Sequence, residues 1–134
     1  MSAQPRPKSV AIVDDDESVQ IALQDLMEAV GLSARCFGSA EEFLNSGQQY
    51  LVGCLISDIR MPGMNGIELH RHLVNSNCKV PVIFMTAHGY DDRARSEVDP
   101  EWTVACLKKP FGEDELLKAV WAALELTRGP ETTS

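Results

Sequence analysis

The sequence predicts an α/β fold in which a parallel sheet is covered by helices on both faces. Short apolar segments alternate with segments whose apolar residues recur at helical spacing, and this alternation is typical of parallel strands joined by right-handed helical crossovers. Nearly continuous apolar character favours strands that are buried on both faces. Four of the apolar segments also end beside polar residues that suit a ligand site, and these segments begin at Val10, Val52, Val82 and Val104.

The composition limits the chain to one domain. Its 134 residues are 44% hydrophobic and 24% charged, which is ordinary for a globular domain. No apolar run approaches the roughly 20 residues that span a bilayer, and the basic first residues are not followed by the apolar core of a signal peptide. The net charge of −8 argues against direct nucleic-acid binding. We therefore expect a cytoplasmic protein without membrane contact.

The four cysteines are predicted to be free thiols. They are widely spaced and form no C-x-x-C pair, and at least two of them fall inside predicted strands. Buried thiols are therefore favoured over disulfides or a zinc site. The residues concerned are Cys36, Cys54, Cys78 and Cys106.

The first half of the chain predicts two strands and two helices. Residues 1–8 are expected to form a disordered N-terminal arm, followed by a strand over 9–13. The next helix, over 17–30, has apolar residues spaced three and four apart along one face. A more polar strand over 33–37 is expected nearer a sheet edge. A capping-box pattern, Ser-Ala-Glu-Glu, then opens a short helix within 39–45.

The second half of the chain repeats the alternation. Its strands are expected over 52–56, 82–85 and 102–107, and its helices over 66–74, 91–98 and 113–126. Helix 91–98 should be short and loosely held, because only Ala94 and Val98 are apolar there and Pro100 cannot continue a helix. The two longer helices should face the sheet through apolar residues, which are Ile67, Leu73 and Val74 in the first and Leu116, Leu117, Val120, Trp121 and Leu124 in the second.

The acidic residues at the strand ends predict a metal site. Asp14 and Asp15 follow the first strand, and Asp58 follows the central one. Because the carboxyl ends of parallel strands lie at one edge of the sheet, these carboxylates should form a cluster of hard oxygen ligands that suits Mg²⁺. Without a cation the three charges repel one another. Asp16 is expected to cap the following helix instead.

A hydroxyl and an ammonium group, from Thr86 and Lys109, are expected at the same edge of the sheet. A carboxylate beside a divalent cation can act as a nucleophile towards phosphorus, and Asp58 would then form an acyl phosphate. Mg²⁺ and Lys109 would neutralise the developing charge, while Thr86 would donate a hydrogen bond to a phosphoryl oxygen. The residues therefore predict phosphoryl transfer to Asp58.

Four motifs contain these residues in order along the chain: Ile12-Val13-Asp14-Asp15-Asp16, Ser57-Asp58-Ile59-Arg60-Met61-Pro62-Gly63-Met64-Asn65-Gly66, Met85-Thr86-Ala87-His88-Gly89 and Lys109-Pro110-Phe111. With these motifs, the sequence resembles the receiver domain of two-component response regulators, the CheY-like group. The resemblance covers about residues 8–126. It implies a flavodoxin-like, doubly wound five-stranded parallel sheet in the order 2-1-3-4-5. The receiver domain would span 9–126, followed by a polar C-terminal tail over 127–134.

The resemblance implies a role for each residue that handles phosphate. Asp58 would accept a phosphoryl group from a sensor histidine kinase or a phosphotransfer protein. Thr86 would be the switch hydroxyl and Lys109 the phosphate contact, with a cis bond between Lys109 and Pro110. The aspartyl phosphate would add close to two negative charges and so change the partner-binding face.

The resemblance also implies how the cofactor Mg²⁺ would be held. Asp15 would bind the ion directly, whereas Asp14 would act more often through water. Asp58 and the backbone carbonyl of Arg60 would complete the protein ligands.

The chain departs from the family pattern between residues 90 and 106. The position three residues before the conserved lysine normally carries an aromatic side chain, and here it is Cys106. We hypothesise that Trp102 or Tyr90 takes over part of that aromatic role; simple packing of a loop by Trp102 is the alternative. The surface that binds partners is therefore expected to be atypical.

The leading prediction is a phosphorylation-operated signalling switch that is no enzyme beyond accepting and slowly losing its own phosphate. Its output partner would bind through the 90–126 face, with a homodimer as an open alternative. Two rival hypotheses are a fragment of a DNA-binding transcriptional regulator and a pseudo-receiver that binds partners without phosphorylation. An aspartate-nucleophile phosphatase is disfavoured, because such enzymes place a second acid two residues after the nucleophile and Arg60 occupies that position.

Overall fold

The computed structural model describes residues 9–87 and 96–127, which form a five-stranded sheet in which every pairing is parallel. The order of the strands in the sheet is 2-1-3-4-5, which confirms the predicted doubly wound topology. The second strand lies at an edge, as its more polar sequence indicated. The strands are β1 (Ser9–Val13), β2 (Ser33–Phe37), β3 (Cys54–Asp58), β4 (Val82–Thr86) and β5 (Thr103–Lys108).

Helices cover both faces of the sheet, as predicted. Those in the described ranges are α1 (Glu17–Ala29), α2 (Ala40–Ser46), α3 (Gly66–Asn75) and α4 (Glu113–Thr127). On one face, α1 and α4 bury Met27 and Leu116 completely. On the other face, α2 and α3 bury Phe43 and Leu69 completely. Each such side chain contributes about 1.5–3 kcal/mol relative to exposure, so the two cores hold the sheet between them.

Three helices begin at polar side chains that accept hydrogen bonds from the first turn. Asp16 caps α1 in this way, as predicted. Ser39 caps α2 by accepting from the N–H of Glu42 at 3.0 Å. Asn65 caps α3 and forms a complete capping box with Glu68. These caps fix the points at which the chain passes from loop to helix near the carboxyl edge of the sheet.

The central strand lies two residues later than predicted, because β3 runs over Cys54–Asp58 and not over 52–56. A 3₁₀ helix over Gln48–Tyr50 precedes it, and the N–H of Val52 bonds back to the first residue of that helix. Val52 is therefore buried in a turn although it is as apolar as the strand residues. Asp58 becomes the last residue of the strand, still at its carboxyl end as expected.

The packing of α4 corrects the prediction for Trp121. Leu116, Val120 and Ala123 face the core, but the side chain of Trp121 is 40% exposed. Successive residues of a helix are about 100° apart, so Trp121 points away from the face on which Val120 is buried. The prediction that Trp121 supplies core surface was wrong, because small alanines complete this face of the helix instead.

All four cysteines lie within the described residues and are free thiols, as predicted. Cys54 and Cys78 are buried, whereas Cys36 and Cys106 are half-buried. Complete burial raises the pKa of the Cys54 thiol. This side chain therefore stays protonated and behaves as a small apolar group of the core.

Several predictions concern segments outside the described residues. These segments are the arm over 1–8, most of the helix over 91–98 and nearly all of the tail over 127–134. Within residues 9–87 and 96–127, no helix has both the length and the apolar character that a membrane span requires.

Candidate functional site

The carboxyl ends of all five strands lie at one edge of the sheet, because every pairing is parallel. In the register between β3 and β4, Asp58 pairs with Met85. Beyond the last residue of β5, the N–H of Lys109 still donates to the carbonyl of Thr86 at 2.8 Å. The N–H of Asp14 is held in the same way by the end of β2, at 3.1 Å. The residues that follow the strands are therefore placed by the sheet itself.

Three of these residues form an acidic cluster. Asp14, Asp15 and Asp58 each offer a carboxylate oxygen that lies within 4.8 Å of the other two. Asp14 is buried, Asp58 is half-buried and Asp15 is exposed, so the cluster opens to solvent on one side. Asp16 lies outside it and caps α1.

Asp14 is the most enclosed member of the acidic cluster, with no exposed surface. Its Oδ1 accepts from the N–H of Asp16 at 2.8 Å, and its carbonyl accepts from Nε2 of Gln20 at 2.7 Å. Burial raises the pKa of Asp14, and the nearby charge of Asp58 raises it further; the N–H of Asp16 and the ammonium of Lys109 oppose this shift. A cation at this place would therefore stabilise the ionised carboxylate.

Lys109 supplies a positive charge between two of the acids. Its Nζ lies 3.4 Å from Oδ2 of Asp14 and 3.5 Å from Oδ2 of Asp58. The Lys109–Pro110 bond is cis, as the resemblance implied. The ammonium thus bridges the ends of two strands and faces the same space as the acidic cluster.

Thr86 and Arg60 lie beside this group. Thr86 is the last residue of β4 and is buried. Arg60 is in the loop that follows Asp58, and its N–H lies 3.4 Å from Oδ1 of Asp58. The structure therefore brings Asp14, Asp15, Asp58 and Lys109 together, with Thr86 on the adjacent strand and Arg60 in the adjoining loop.

The donor set of the acidic cluster fits a hard divalent cation. Three carboxylates supply oxygen ligands, and the exposed side of the cluster leaves room for water, as Mg²⁺ requires. Sulfur and imidazole ligands, which zinc prefers, are absent from this described cluster.

The region that departs from the family pattern is only partly described. Cys106 pairs with Phe84 in the register between β4 and β5 and packs against the core on the α2 and α3 face. Trp102 is half-buried, and its carbonyl accepts from the N–H of Val82 at 2.9 Å. Tyr90 lies outside the described residues, so the hypothesis of an aromatic substitute stays a prediction.

A buried histidine in α3, His70, was not predicted from the sequence. His70 is 2% exposed, and its ring meets that of Phe84 edge to face at 5.8 Å between centroids. Its Nε2 accepts from the backbone N–H of Asp99 at 2.9 Å. The next residue, Arg71, forms an ion pair with Glu97 at 3.8 Å. The helix that follows the Asp58 loop is therefore tied to the segment that leads into β5.

This arrangement predicts that acid weakens the fold through His70. Burial lowers the pKa of His70 below 6.5, and the charge of Asp99 opposes this only in part. The unfolded chain therefore binds a proton that the folded chain excludes, and the stabilisation present above pH 6.5 is lost as the pH falls towards the folded pKa. We expect the free energy of unfolding, measured in urea, to decrease more between pH 7.5 and 5.5 in the wild type than in His70→Gln.

The matched control for this prediction is His72→Gln, because His72 lies on the same helix and is exposed. This variant should lose as much stability in acid as the wild type. Glutamine at position 70 keeps an acceptor for the Asp99 N–H but does not titrate. An acid-induced loss of the same size in His70→Gln and the wild type would contradict the prediction.

The chain is similar in sequence to known proteins. The family model of the response regulator receiver domain matches residues 10–121. Response regulator protein TodT of Pseudomonas putida is 41% identical over 121 residues, which is 90% of this chain and 53% of TodT. Transcriptional regulatory protein FixJ of Azorhizobium caulinodans is 36% identical over 120 residues, which is 90% of this chain and 56% of FixJ.

A solved structure agrees in three dimensions. A response regulator receiver protein from Burkholderia phymatum matches with a TM-score of 0.73 and 39% identity, over 90% of this chain and 96% of that one. The chain spans about half the length of the curated relatives described above. The family model, the relatives and the strand order together establish that this chain belongs to the response regulator receiver domains, with their CheY-like fold.

Proposed function

We propose that the chain is a phosphorylation-operated signalling switch in which Asp58 accepts a phosphoryl group from a sensor histidine kinase or a phosphotransfer protein. The observation that carries this proposal is the position of the Asp58 carboxylate, within 4.8 Å of two further acids and 3.5 Å from Nζ of Lys109. A half-buried carboxylate in this setting is both reachable and flanked by the charges that phosphoryl transfer needs.

Mg²⁺ is the cofactor of the proposal. Asp14, Asp15 and Asp58 would hold it, with the backbone carbonyl of Arg60 as a further ligand by resemblance. When bound, the ion neutralises negative charge on the carboxylates and on the transferring phosphoryl group. The donor set described above supports this assignment.

The chain's own residues account for the transfer. An oxygen of Asp58 attacks phosphorus, the bond from phosphorus to the donor nitrogen breaks, and that nitrogen keeps the electron pair. Lys109 stabilises the charge on the phosphoryl oxygens, and the hydroxyl of Thr86 donates a hydrogen bond to one of them. Water later attacks phosphorus, the bond from phosphorus to the Asp58 oxygen breaks with its electron pair left on that oxygen, and inorganic phosphate leaves, which restores the carboxylate. The proposed activity is therefore limited to the chain's own phosphate, and no metabolite is turned over.

The phosphorylated form would act by changing a binding surface. Phosphorylation adds close to two negative charges next to Thr86. Thr86 ends β4, and β4 is the neighbour of β5 in the sheet. We propose that the 90–126 face carries the change to an output partner or to a second copy of the chain. A cytoplasmic location is part of the proposal, since four free thiols suit a reducing compartment.

Intact mass spectrometry tests this function. After incubation with acetyl phosphate and Mg²⁺, we expect the mass of one phosphate to be added to the protein, and no addition when the metal is chelated. An unmodified mass in every sample of folded protein would instead favour a pseudo-receiver that binds partners without phosphorylation.

A second candidate function concerns the output. The chain spans 53% of TodT and 56% of FixJ, and the latter is named a transcriptional regulatory protein. We propose, as the alternative, that the receiver controls the DNA-binding part of a longer regulator. A coding sequence that continues past Ser134 into a DNA-binding module would support it, and a stop codon at that point would exclude it.

A further inference from the structure

A carboxylate from α2 holds the loop between β3 and α3. Glu41 lies in the first turn of α2, and its Oε2 accepts from the backbone N–H of Met64 at 3.0 Å. The two residues are 23 positions apart in the chain. The bond therefore joins two separate segments and is no part of the helix cap.

The adjacent glutamate, Glu42, has a different hydrogen-bond partner. Oε1 of Glu42 accepts from the N–H of Gly38 at 2.8 Å and so turns back to the residue before the cap Ser39. Two consecutive carboxylates of the same turn thus have separate partners. Only that of Glu41 reaches the loop that follows Asp58.

The backbone of the loop fits this carboxylate closely. Gly63 has φ of +76°, and a Cβ built there would lie 3.0 Å from Oε2 of Glu41. Glycine at this position permits both the left-handed backbone and the close approach of the carboxylate. The Glu41 carboxylate therefore packs against the backbone of Gly63 and accepts the hydrogen bond of the Met64 N–H.

The other bonds of the loop lie at its two ends. At the start, the N–H of Arg60 lies 3.4 Å from Oδ1 of Asp58. At the end, the N–H of Gly66 donates to the carbonyl of Ile59 at 2.8 Å. Between these ends, the bond from Met64 to Glu41 fixes the loop from outside. A hydrogen bond to an ionised carboxylate is stronger than one between neutral groups, which suits it to this task.

We propose that Glu41 is a positioning residue that holds the β3–α3 loop so that Arg60 stays aligned with the acidic cluster. Glu41 lies outside the acidic cluster of Asp14, Asp15 and Asp58, and it would act through the Met64 amide. The proposal rests on the proposed function, because the carbonyl of Arg60 is one of the ligands assigned there to Mg²⁺.

The test compares Glu41→Ala, Glu41→Gln and Glu42→Ala. The first two change the acceptor of the Met64 N–H, and the third removes the neighbouring charge without touching the loop. Hydrogen exchange of the Met64 amide, measured by NMR without metal, reports directly on the bond. We expect faster exchange in Glu41→Ala, intermediate exchange in Glu41→Gln, whose amide oxygen still accepts, and the wild-type rate in Glu42→Ala.

Titration with Mg²⁺, followed by the amide resonances, gives the second measurement. We expect about three- to tenfold weaker binding in Glu41→Ala, partial recovery in Glu41→Gln and wild-type affinity in Glu42→Ala, as for the loss of one charge-assisted bond outside the ligand set. Equal weakening in Glu41→Ala and Glu42→Ala would reduce the effect to general charge and overturn the proposal.

The two measurements separate this proposal from the proposed function. If the wild type bound no Mg²⁺, the proposed function would fail, and a fast Met64 amide in Glu41→Ala would still establish that Glu41 holds the loop. If the wild type bound Mg²⁺ and the Met64 amide of Glu41→Ala exchanged at the wild-type rate, the positioning role would be overturned while the switch would stand.

Discussion

An Asp58→Asn variant is expected to take up no phosphate from acetyl phosphate and Mg²⁺, while it remains folded. Asparagine has the same shape as aspartate, but its amide is no nucleophile towards phosphorus. The substitution removes the Lys109 ion pair and, at the same time, the repulsion between Asp58 and Asp14. Because these two effects oppose each other, the free energy of unfolding should change by less than about 1 kcal/mol.

The matched control for this substitution is Asp16→Asn. It removes the same charge close to the acidic cluster but leaves the three clustered acids in place, and asparagine caps a helix as well as aspartate. This control should gain one phosphate, like the wild type, as measured by intact mass. A phosphate adduct on Asp58→Asn would place the acceptor at another residue, and loss of the thermal unfolding transition would contradict the expected stability.

A Gly66→Ala variant is expected to lose about 2–4 kcal/mol of folding free energy, which is at the upper end of the usual cost of overpacking a core. A Cβ on Gly66 would overlap the carbonyl oxygen of Asp58 and lie 3.1 Å from the Cα of Ile59. Both neighbours are backbone atoms, which cannot move aside as a flexible side chain would. The start of α3 would be forced away from the end of β3, and the Asp58 loop would be displaced with it.

Urea unfolding of Gly66→Ala and Gly112→Ala provides the comparison. Gly112 stands directly before α4, and a Cβ there would meet no other atom within 4 Å. The control should therefore change the free energy of unfolding by less than about 1 kcal/mol. Equal stability of the two variants would show that α3 can shift without cost and would contradict the prediction.

The sheet and its polar edge were predictable because their signals are local. An apolar run with a polar residue at its end is visible in a few neighbouring letters, and the parallel arrangement then places all such ends at one edge. In agreement with this reasoning, carboxylate oxygens of Asp14, Asp15 and Asp58 lie within 4.8 Å of one another in the structure. Their roles in binding metal and phosphate stay predictions.

The exact start of β3 was not predictable from the same signal. Val52 is apolar and buried like the strand residues, so hydrophobicity cannot distinguish the turn from the strand. Pairing with β1 decides the boundary, and pairing is a contact between segments far apart in the chain. The bond between Glu41 and Met64 also joins segments far apart in the chain, so no local pattern in the sequence predicts it.

The burial of His70 did have a signal in the sequence. It lies three residues after Ile67 and three before Leu73, which is the spacing of one helical face, and both neighbours are buried. A histidine is often exposed, and the partner that satisfies its Nε2 is a backbone amide 29 residues away. The periodicity was sufficient to place the side chain inside, but not to identify what it bonds.

The way the strand ends are joined has a consequence for how such a protein can diverge. Asp14 and Lys109 are each held by a backbone bond to the neighbouring strand, and Asp14 also accepts a bond from Gln20 of α1. Ile21 and Trp121 are exposed and take part in none of these bonds, so substitutions there should change the helix surface without moving the acidic cluster. The outer helix surface and the polar edge of the sheet are thereby open to separate selection within one small domain.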